Sequence, residues 1–325
     1  MDVLFLNHKE KRCGVYQYGI RVYAILNADK SIRCTYHEID CFSEYNLLIA
    51  APNENKWSAI IYNFHGATMS WLTKGNIKKF GRNIGITHES RPDLFNIICE
   101  IDPTAPETHN VVPIPRPLFE NVDELLLNYK SENPEIEKFI NFGISVNADK
   151  EIPVFGSFGF SSGYKNFAAI VKLVNDTYDR AIIKLVITVP KFGRDLTALN
   201  LQQCTEANYK PGVQLMITNE FFSTEDMLKF LKSNTMNIFF YGHVPVPFNC
   251  VSSSTDYAMS VGTPFAISES NMYKHIYSDE ICVSKRTLPQ IMKTSPKHIA
   301  PFLHSYSNDN LRAAFARIIA RLAPL

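Results

Sequence analysis

The chain carries no excess of either charge: among 325 residues, Lys plus Arg number 33 and Asp plus Glu 32, a net +1. That balance gives no global electrostatic case for a nucleic-acid or membrane-surface partner, and no dense Lys/Arg stripe makes a local one. The seven cysteines (Cys13, Cys34, Cys41, Cys99, Cys204, Cys250 and Cys282) are scattered, without a CxxC pair or a Cys/His cluster at zinc spacing. Odd in number and in a long chain, they read as reduced thiols, and a cytoplasmic location is expected. No apolar run approaches the ~18–20 residues of a membrane span. The opening stretch, Met1–Arg12, lacks the leading charge, long apolar core and small-residue cleavage site of a signal peptide. There is no Walker GK[ST] motif and no GxGxxG fingerprint. A DxD triplet is also missing, so neither a metal nor a cofactor is expected.

What remains is a normal globular balance, 46% hydrophobic and 20% charged, in a chain long enough for two domains. Residues 1–150 carry about −3 and the rest about +4, a sign that suits an anionic ligand held mainly by the second half. Short apolar runs at Val3–Leu6, Ala59–Phe64, Asn83–Thr87 and Phe95–Cys99 read as buried parallel strands. So does Thr35–Asp40, after a helix through Tyr16–Leu26. The prolines of Val111–Leu118 impose an extended segment, and Glu120–Asn141 reads as helix or helix plus loop. The theme repeats in the second half. Strands are expected at Pro153–Phe158, Ile182–Val189, Val213–Thr218, Asn237–Tyr241 and Phe265–Ser268. Helices are expected at Tyr164–Asn175, Ser223–Ser233, Asp256–Val261 and Asn310–Leu322. Ser223 and Asp226 stand at capping-box spacing, and Gly262 with Pro264 ends the helix before them. Strands alternating with helices make a doubly wound α/β fold in each half, with a joint near residue 150.

In such sheets ligands bind beyond the carboxyl ends of the strands, and anions favour helix N-termini. Two places fit. In Gly156-Ser157-Phe158-Gly159-Phe160-Ser161-Ser162-Gly163-Tyr164-Lys165 a strand enters a small-residue loop, with a lysine beside the next helix. It suits a phosphate cradle or an ordinary strand-to-helix turn. In Ser252-Ser253-Ser254-Thr255-Asp256 four hydroxyl residues precede a helix with no further charge for a full turn. They suit a diphosphate or a plain N-cap.

The stretch Asn237–Ser268, with Ala258-Met259-Ser260-Val261-Gly262-Thr263-Pro264, resembles the "EAMACGTP" signature of GT-B glycosyltransferases. Pro153–Val174 resembles that family's other donor-domain landmark, and Gly14-Val15 resembles its Gly-rich N-terminal loop. The resemblance implies two Rossmann-like doubly wound domains facing across a cleft. Residues 1–150 would form the acceptor domain and residues 151–325 the donor domain, with the last helix near the first domain. It implies a transferase that moves a sugar from a nucleotide-diphosphate-sugar donor, such as a UDP-sugar, without a metal. Ser252, Ser253, Ser254 and Asp256 would hold the distal phosphate and sugar. Lys165, with the backbone near Ser157, Phe158 and Gly159 and with Gly14 and Val15, would hold the diphosphate. Thr218–Phe222 would flank the base, with Phe221 and Phe222 placed to stack or to pack in the core.

For the chemistry, His65 follows the strand Ala59–Phe64, and His88 and Glu89 follow Asn83–Thr87. Each stands where an acid–base or sugar-stabilising group is wanted, and each also suits a solvated loop. Arg116 fits a surface linker better than a cleft. Retaining members of the resembling family carry two Glu residues with seven between them; here Asn249 and Tyr257 occupy those positions. A catalytically silent binding protein on the same fold is therefore one alternative, and a nucleotide-sugar epimerase another. The acceptor class (saccharide, protein, small molecule or modified DNA base) is not legible.

Overall fold

The computed structural model describes residues 1–50, 57–77, 82–88, 93–148, 152–191, 194–242 and 250–322. The chain divides into two compact units. Unit 1 is Met1–Leu118 with Val246–Val251 and Ser305–Leu325; unit 2 is Phe119–Pro245 with Ser252–His304.

Unit 1 opens with β1 (Asp2–Asn7), α1 (Gly14–Asn27), β2 (Arg33–Glu38), α2 (Phe42–Ile49) and β3 (Ala59–Phe64). It continues with α3 (Lys74–Ile77), β4 (Asn83–Thr87), β5 (Ile97–Glu100) and β6 (Val111–Pro113). Every pairing is parallel, and the order is β2-β1-β3-β4-β5-β6. Successive strand residues face opposite sides, so the sheet has two cores. Val3, Phe5 and Ile61 pack on one side with Tyr18, Val22, Ile25 and Leu26 of α1. Leu4, Leu6, Ile60 and Tyr62 pack on the other with Tyr45 and Ile49 of α2 and Ile77 of α3.

Unit 2 runs through α4 (Val122–Leu126), α5 (Pro134–Ala148), β7 (Val154–Phe160), α6 (Phe167–Thr177), β8 (Ala181–Thr188) and α7 (Thr197–Ala207). Then come β9 (Val213–Thr218), α8 (Thr224–Lys232), β10 (Met236–Phe239), α9 (Ser254–Val261), β11 (Phe265–Ile267) and α10 (Leu288–Ser305). Its sheet is also wholly parallel, in the order β11-β10-β7-β8-β9. The last helix, α11 (Asn308–Arg321), returns to unit 1 and packs on α1. There it buries Leu311, Phe315, Ile318 and Ile319, each worth roughly 1.5–3 kcal/mol of transfer free energy.

The division falls at Leu118/Phe119 and not near residue 150, for a packing reason. α4 and α5 lie against α8, and α5 also touches β7. Lys229 of α8 binds Glu137 at 2.9 Å and the Tyr129 carbonyl at 2.9 Å, and Tyr129 Oη donates to Asp226 at 2.9 Å. Those contacts attach residues 119–148 to the second sheet. Local signals held where they were strong. Ser223 Oγ accepts from Asp226 N at 3.0 Å while Asp226 Oδ2 accepts from Ser223 N at 3.3 Å, a complete capping box. Gly262 ends α9 at φ 70°, in the left-handed region. The sequence pattern does not indicate α2, the short α3, α7, which lacks a clear apolar stripe, or α10, which contains Pro296 and Pro301. Each proline removes a helical hydrogen bond. A tertiary pin holds α10 nonetheless, since Ser295 Oγ accepts from Phe265 N at 3.1 Å and donates to Phe265 O at 3.2 Å.

Lys184 lies in mid-strand on β8 with no exposed surface. Its Nζ donates to Ser233 Oγ at 3.3 Å and reaches the Ile140 carbonyl at 3.5 Å, between the rings of Phe139 and Phe230, each 5.2 Å away. Burial alone pulls its pKa down to about 7. The unfolded chain keeps that proton up to the ordinary lysine value near 10.4. Between about 7 and that value unfolding takes up a proton, so stability rises with pH across the window and is lowest below it. Lys184→Met should stabilise the fold at pH 6 by on the order of a few kcal/mol, and so raise the melting temperature there. The gain should shrink by pH 9. Thermal unfolding at the two pH values measures it, and a variant less stable than wild type at pH 6 would contradict this account.

Candidate functional sites at the carboxyl edges of the two sheets

A doubly wound sheet opens a crevice where its strand order reverses. In unit 2 that point lies between β7 and β10, and the groups gathered there come from four segments. β7 extends to Phe160, two residues beyond the expected end, and α6 begins at Phe167 rather than Tyr164. Lys165 therefore precedes the helix, which Asn166 caps by accepting from Ala169 N at 3.1 Å. Lys165 instead forms an isolated antiparallel bridge with Tyr241, just past β10. Its Nζ donates to the Phe158 carbonyl at 3.2 Å and lies 5.0 Å from the Tyr241 ring and 5.8 Å from the Phe158 ring. Burial is the one cause that lowers its pKa, to about 8. Gly159 makes this path possible. A Cβ there would stand 2.3 Å from Lys165 Nζ and 2.5 Å from its Cε, and the backbone φ of +153° already suits glycine.

The serine run approaches the same crevice. The Tyr241 ring packs edge-on against Tyr273 at 5.7 Å, and the neighbouring Met272 carbonyl accepts from Ser252 N at 2.9 Å. α9 starts at Ser254, earlier than its sequence pattern indicates, so Ser253 is the N-cap, and its side chain makes no capping bond. Ser252 Oγ and Ser254 Oγ share a hydrogen bond of 2.6 Å. Thr255 Oγ1 donates to the Ser252 carbonyl at 2.9 Å and lies 3.3 Å from His275 Nε2. Ser253 is half-buried, while Ser252, Ser254 and Asp256 are buried. Among the expected donor residues, Ser157 is buried within β7, paired with Leu185 on β8. Phe222 belongs to the core, edge-on to Phe139 at 6.1 Å and Phe230 at 5.8 Å, whereas Phe221 beside it is half-buried. Tyr257, where the resembling family has a Glu, packs against Phe119 at 4.9 Å and Phe158 at 5.7 Å.

In unit 1 the order reverses between β1 and β3. Their carboxyl ends, with that of β4, carry Asn7, His8, Asn63, His65 and His88. Asn63 Nδ2 donates to Asn7 Oδ1 at 2.9 Å and to the Val15 carbonyl at 2.7 Å, and Asn63 Oδ1 meets His88 Nε2 at 2.7 Å. Burial first, and then the charge of Arg116, holds the His88 pKa well below the usual histidine value. The Tyr18 ring is edge-on to His88 at 4.9 Å and carries the Arg116 guanidinium 5.0 Å from its centre. Arg116 is fully buried rather than a surface linker residue, and it donates to the Ile101 carbonyl at 3.0 Å. His65 is half-buried, its carbonyl receiving Thr68 N and Met69 N in the turn after β3. Glu89 lies outside the described residues. Gly14 is exposed with open space beside it, at the start of a helix that has no side-chain cap and no acidic residue in its first turn.

His8 and the two asparagines were missed from sequence. The signal was there: each stands at or just past the end of an apolar run that reads as a strand. Among the described residues, no group of three His, Cys, Asp or Glu side chains is placed to hold a metal, and no helix is long and apolar enough to cross a membrane.

No family model matches the sequence, and no curated protein matches it either. Solved structures do resemble it. HepE of Anabaena in complex with UDP-glucose is 11% identical, with a TM-score of 0.61 over 98% of this chain and 99% of that one. A glycosyltransferase of Rickettsia africae is 9% identical, with a TM-score of 0.63 over 99% and 98%. The trehalose-6-phosphate synthase OtsA is 8% identical, with a TM-score of 0.61 over 100% and 99%. Identities this low speak for architecture alone, and with the two all-parallel sheets they establish it: the chain has the GT-B fold.

Proposed function

We propose that the protein is a glycosyltransferase that takes a sugar from a nucleotide-diphosphate-sugar donor without a divalent ion. One observation carries the reading: a lysine with no carboxylate partner among the described residues and a helix N-terminus without a side-chain cap converge on the β7/β10 crevice of unit 2. A diphosphate supplies the negative charge that both want. Lys165 and the first-turn N–H groups of α9 are the donor-side groups, with Ser253 the most accessible hydroxyl of its run. The UDP-glucose held by HepE on this architecture supports a UDP-sugar as the first donor to try. His65, His88 and Glu89 are the proposed acceptor-side groups, and the protein is proposed to act in the cytoplasm. Tyr257, in the place of a family carboxylate, favours a second reading: a silent protein that binds a nucleotide-sugar without turning it over.

As the glycosidic bond breaks, charge builds on the leaving phosphate, and donors aimed there lower the barrier. Removing the Lys165 ammonium deletes a charge-assisted contact worth roughly 1.5–3 kcal/mol. Lys165→Ala should therefore lose about 10- to 100-fold in kcat/KM with UDP-glucose, without loss of melting temperature. Ser253→Ala should lose less, because the backbone N–H groups stay. Slow release of UDP from UDP-glucose measures both, and EDTA should leave the rate unchanged. Binding without release supports the silent reading; loss on EDTA with rescue by manganese overturns metal independence.

Titration of the same lysine sets a pH limb. Lys165 is charged below about pH 8 and neutral above it, so UDP affinity should weaken as pH rises through that value. Calorimetry at pH 7 and 9 should find this limb in wild type and not in Lys165→Ala. Gly159→Ala, which drives a Cβ into the Lys165 stem, should weaken UDP binding at pH 7 as well. If Lys165→Ala binds UDP as wild type does, the diphosphate site lies elsewhere.

A further inference from the structure

The hydrogen-bond network behind His88 is closed, and it determines which ring atom the histidine can use. The Val15 carbonyl can only accept, so the Asn63 atom facing it at 2.7 Å must be Nδ2. That amide nitrogen also donates to Asn7 Oδ1 at 2.9 Å. Asn7 is fixed by the same logic, since its Nδ2 donates to the Tyr16 carbonyl at 3.1 Å and its Oδ1 accepts from His8 N at 3.0 Å. The atom of Asn63 left for His88 is Oδ1, an acceptor, and the imidazole nitrogen 2.7 Å from it, Nε2, must carry the hydrogen. In a neutral ring the lone pair is then on Nδ1. The other tautomer would set two buried lone pairs against each other, which costs about 1–3 kcal/mol.

His8 is fixed in a complementary way. Its Nδ1 accepts from Glu10 N at 3.1 Å, so Nε2 carries the proton; that N–H is buried and has no partner among the described residues. One imidazole thus offers an acceptor and another a spare donor, both at carboxyl ends of strands on or beside the β1/β3 switch point. A hydroxyl group needs both. From these observations we infer that Asn63 is a positioning residue: it fixes His88 as the Nε2–H tautomer so that Nδ1 accepts from a sugar hydroxyl, while His8 Nε2–H donates to the same ligand. The role for a sugar rests on the transferase reading above. The tautomer does not.

Burial and the surrounding cations oppose protonation of His88: Arg116 from the segment after β6, His65 from the end of β3, His8 from the end of β1 and Arg21 from α1. The Tyr18 ring of α1 also faces it, edge-on. The network also leaves no room for change. A Cβ on Gly19 would stand 2.4 Å from Asn63 Nδ2 and 2.8 Å from Asn7 Nδ2.

Histidine-labelled full-length protein followed by proton–nitrogen NMR tests the assignment. In wild type, His88 should be the neutral Nε2–H tautomer and stay neutral through pH ~6.5, where an ordinary histidine is half-titrated. In Asn63→Asp a carboxylate draws a second proton to the ring, and the titration should move up by about 1–3 pH units. The acid limb of UDP-glucose turnover should move with it. Adding UDP-glucose to wild type should shift the His88 Nδ1 and His8 Nε2 signals. A wild-type His88 found as Nδ1–H, or titrating near 6.5, overturns the positioning role even if Asn63→Asp fails to fold. UDP-glucose that binds without moving either signal overturns the sugar contact alone. UDP-glucose that does not bind removes the transferase reading and the sugar contact with it, while the tautomer is still judged by its own spectrum.

Discussion

A parallel strand can rejoin its neighbour only by a crossover that carries the chain back to the other end of the sheet. Every strand pairing in both units is parallel, so all carboxyl ends in a unit lie along one edge. Along that edge the ladder runs out of partners, and polar side chains gather to satisfy the backbone and one another. In unit 1 the buried groups there are Asn7, Asn63 and His88; in unit 2 the edge holds Lys165, Tyr241 and the serines before α9. Both candidate sites are consequences of that one geometric constraint.

The buried Lys184 and the half-buried Lys165 illustrate how position along a strand separates a cost from a use. Lys184 and Lys165 both lose protons more easily than a solvated lysine, and for the same reason, desolvation. Lys184 is buried in mid-strand under α5 and α8, where it meets two rings, a hydroxyl and a carbonyl. With its ammonium desolvated there, its charge is a liability to the fold. Lys165 is past the strand end at the switch point, where the proposed diphosphate would supply its counter-charge.

The histidines at the carboxyl edge of unit 1 differ in a comparable way. His88 has its Nε2 committed to Asn63, and His8 has its Nδ1 committed to a backbone amide. Each is left with one usable atom, of opposite character. Buried imidazoles kept neutral in this manner act through hydrogen-bond direction more than through charge, which suits neutral hydroxyl groups better than phosphate.

Elements with local causes can be read directly from the residues. Ala59–Phe64, Asn83–Thr87 and Val213–Thr218 are strands with the bounds their apolar runs indicate. Ser223 and Asp226 cap α8, and Gly262 closes α9, because a cap or a left-handed turn is decided within a few residues. Strand-end positions made His65, His88 and Lys165 legible as candidates. Their partners come from distant segments and emerge only in the folded chain. Nothing near Lys165 in the chain announces Tyr241, nothing near His88 announces Asn63, and Phe222 was indistinguishable from a stacking residue until Phe139 and Phe230 enclosed it. The same holds for α10, which keeps its helix through two prolines while Ser295 grips β11, and for residues 119–148, which side with the sheet they pack on. Local preference is set by dihedral angles and by hydrogen bonds a few residues long. Which distant strand end lies beside which is set by sheet order, and that order comes from the packing of the whole unit.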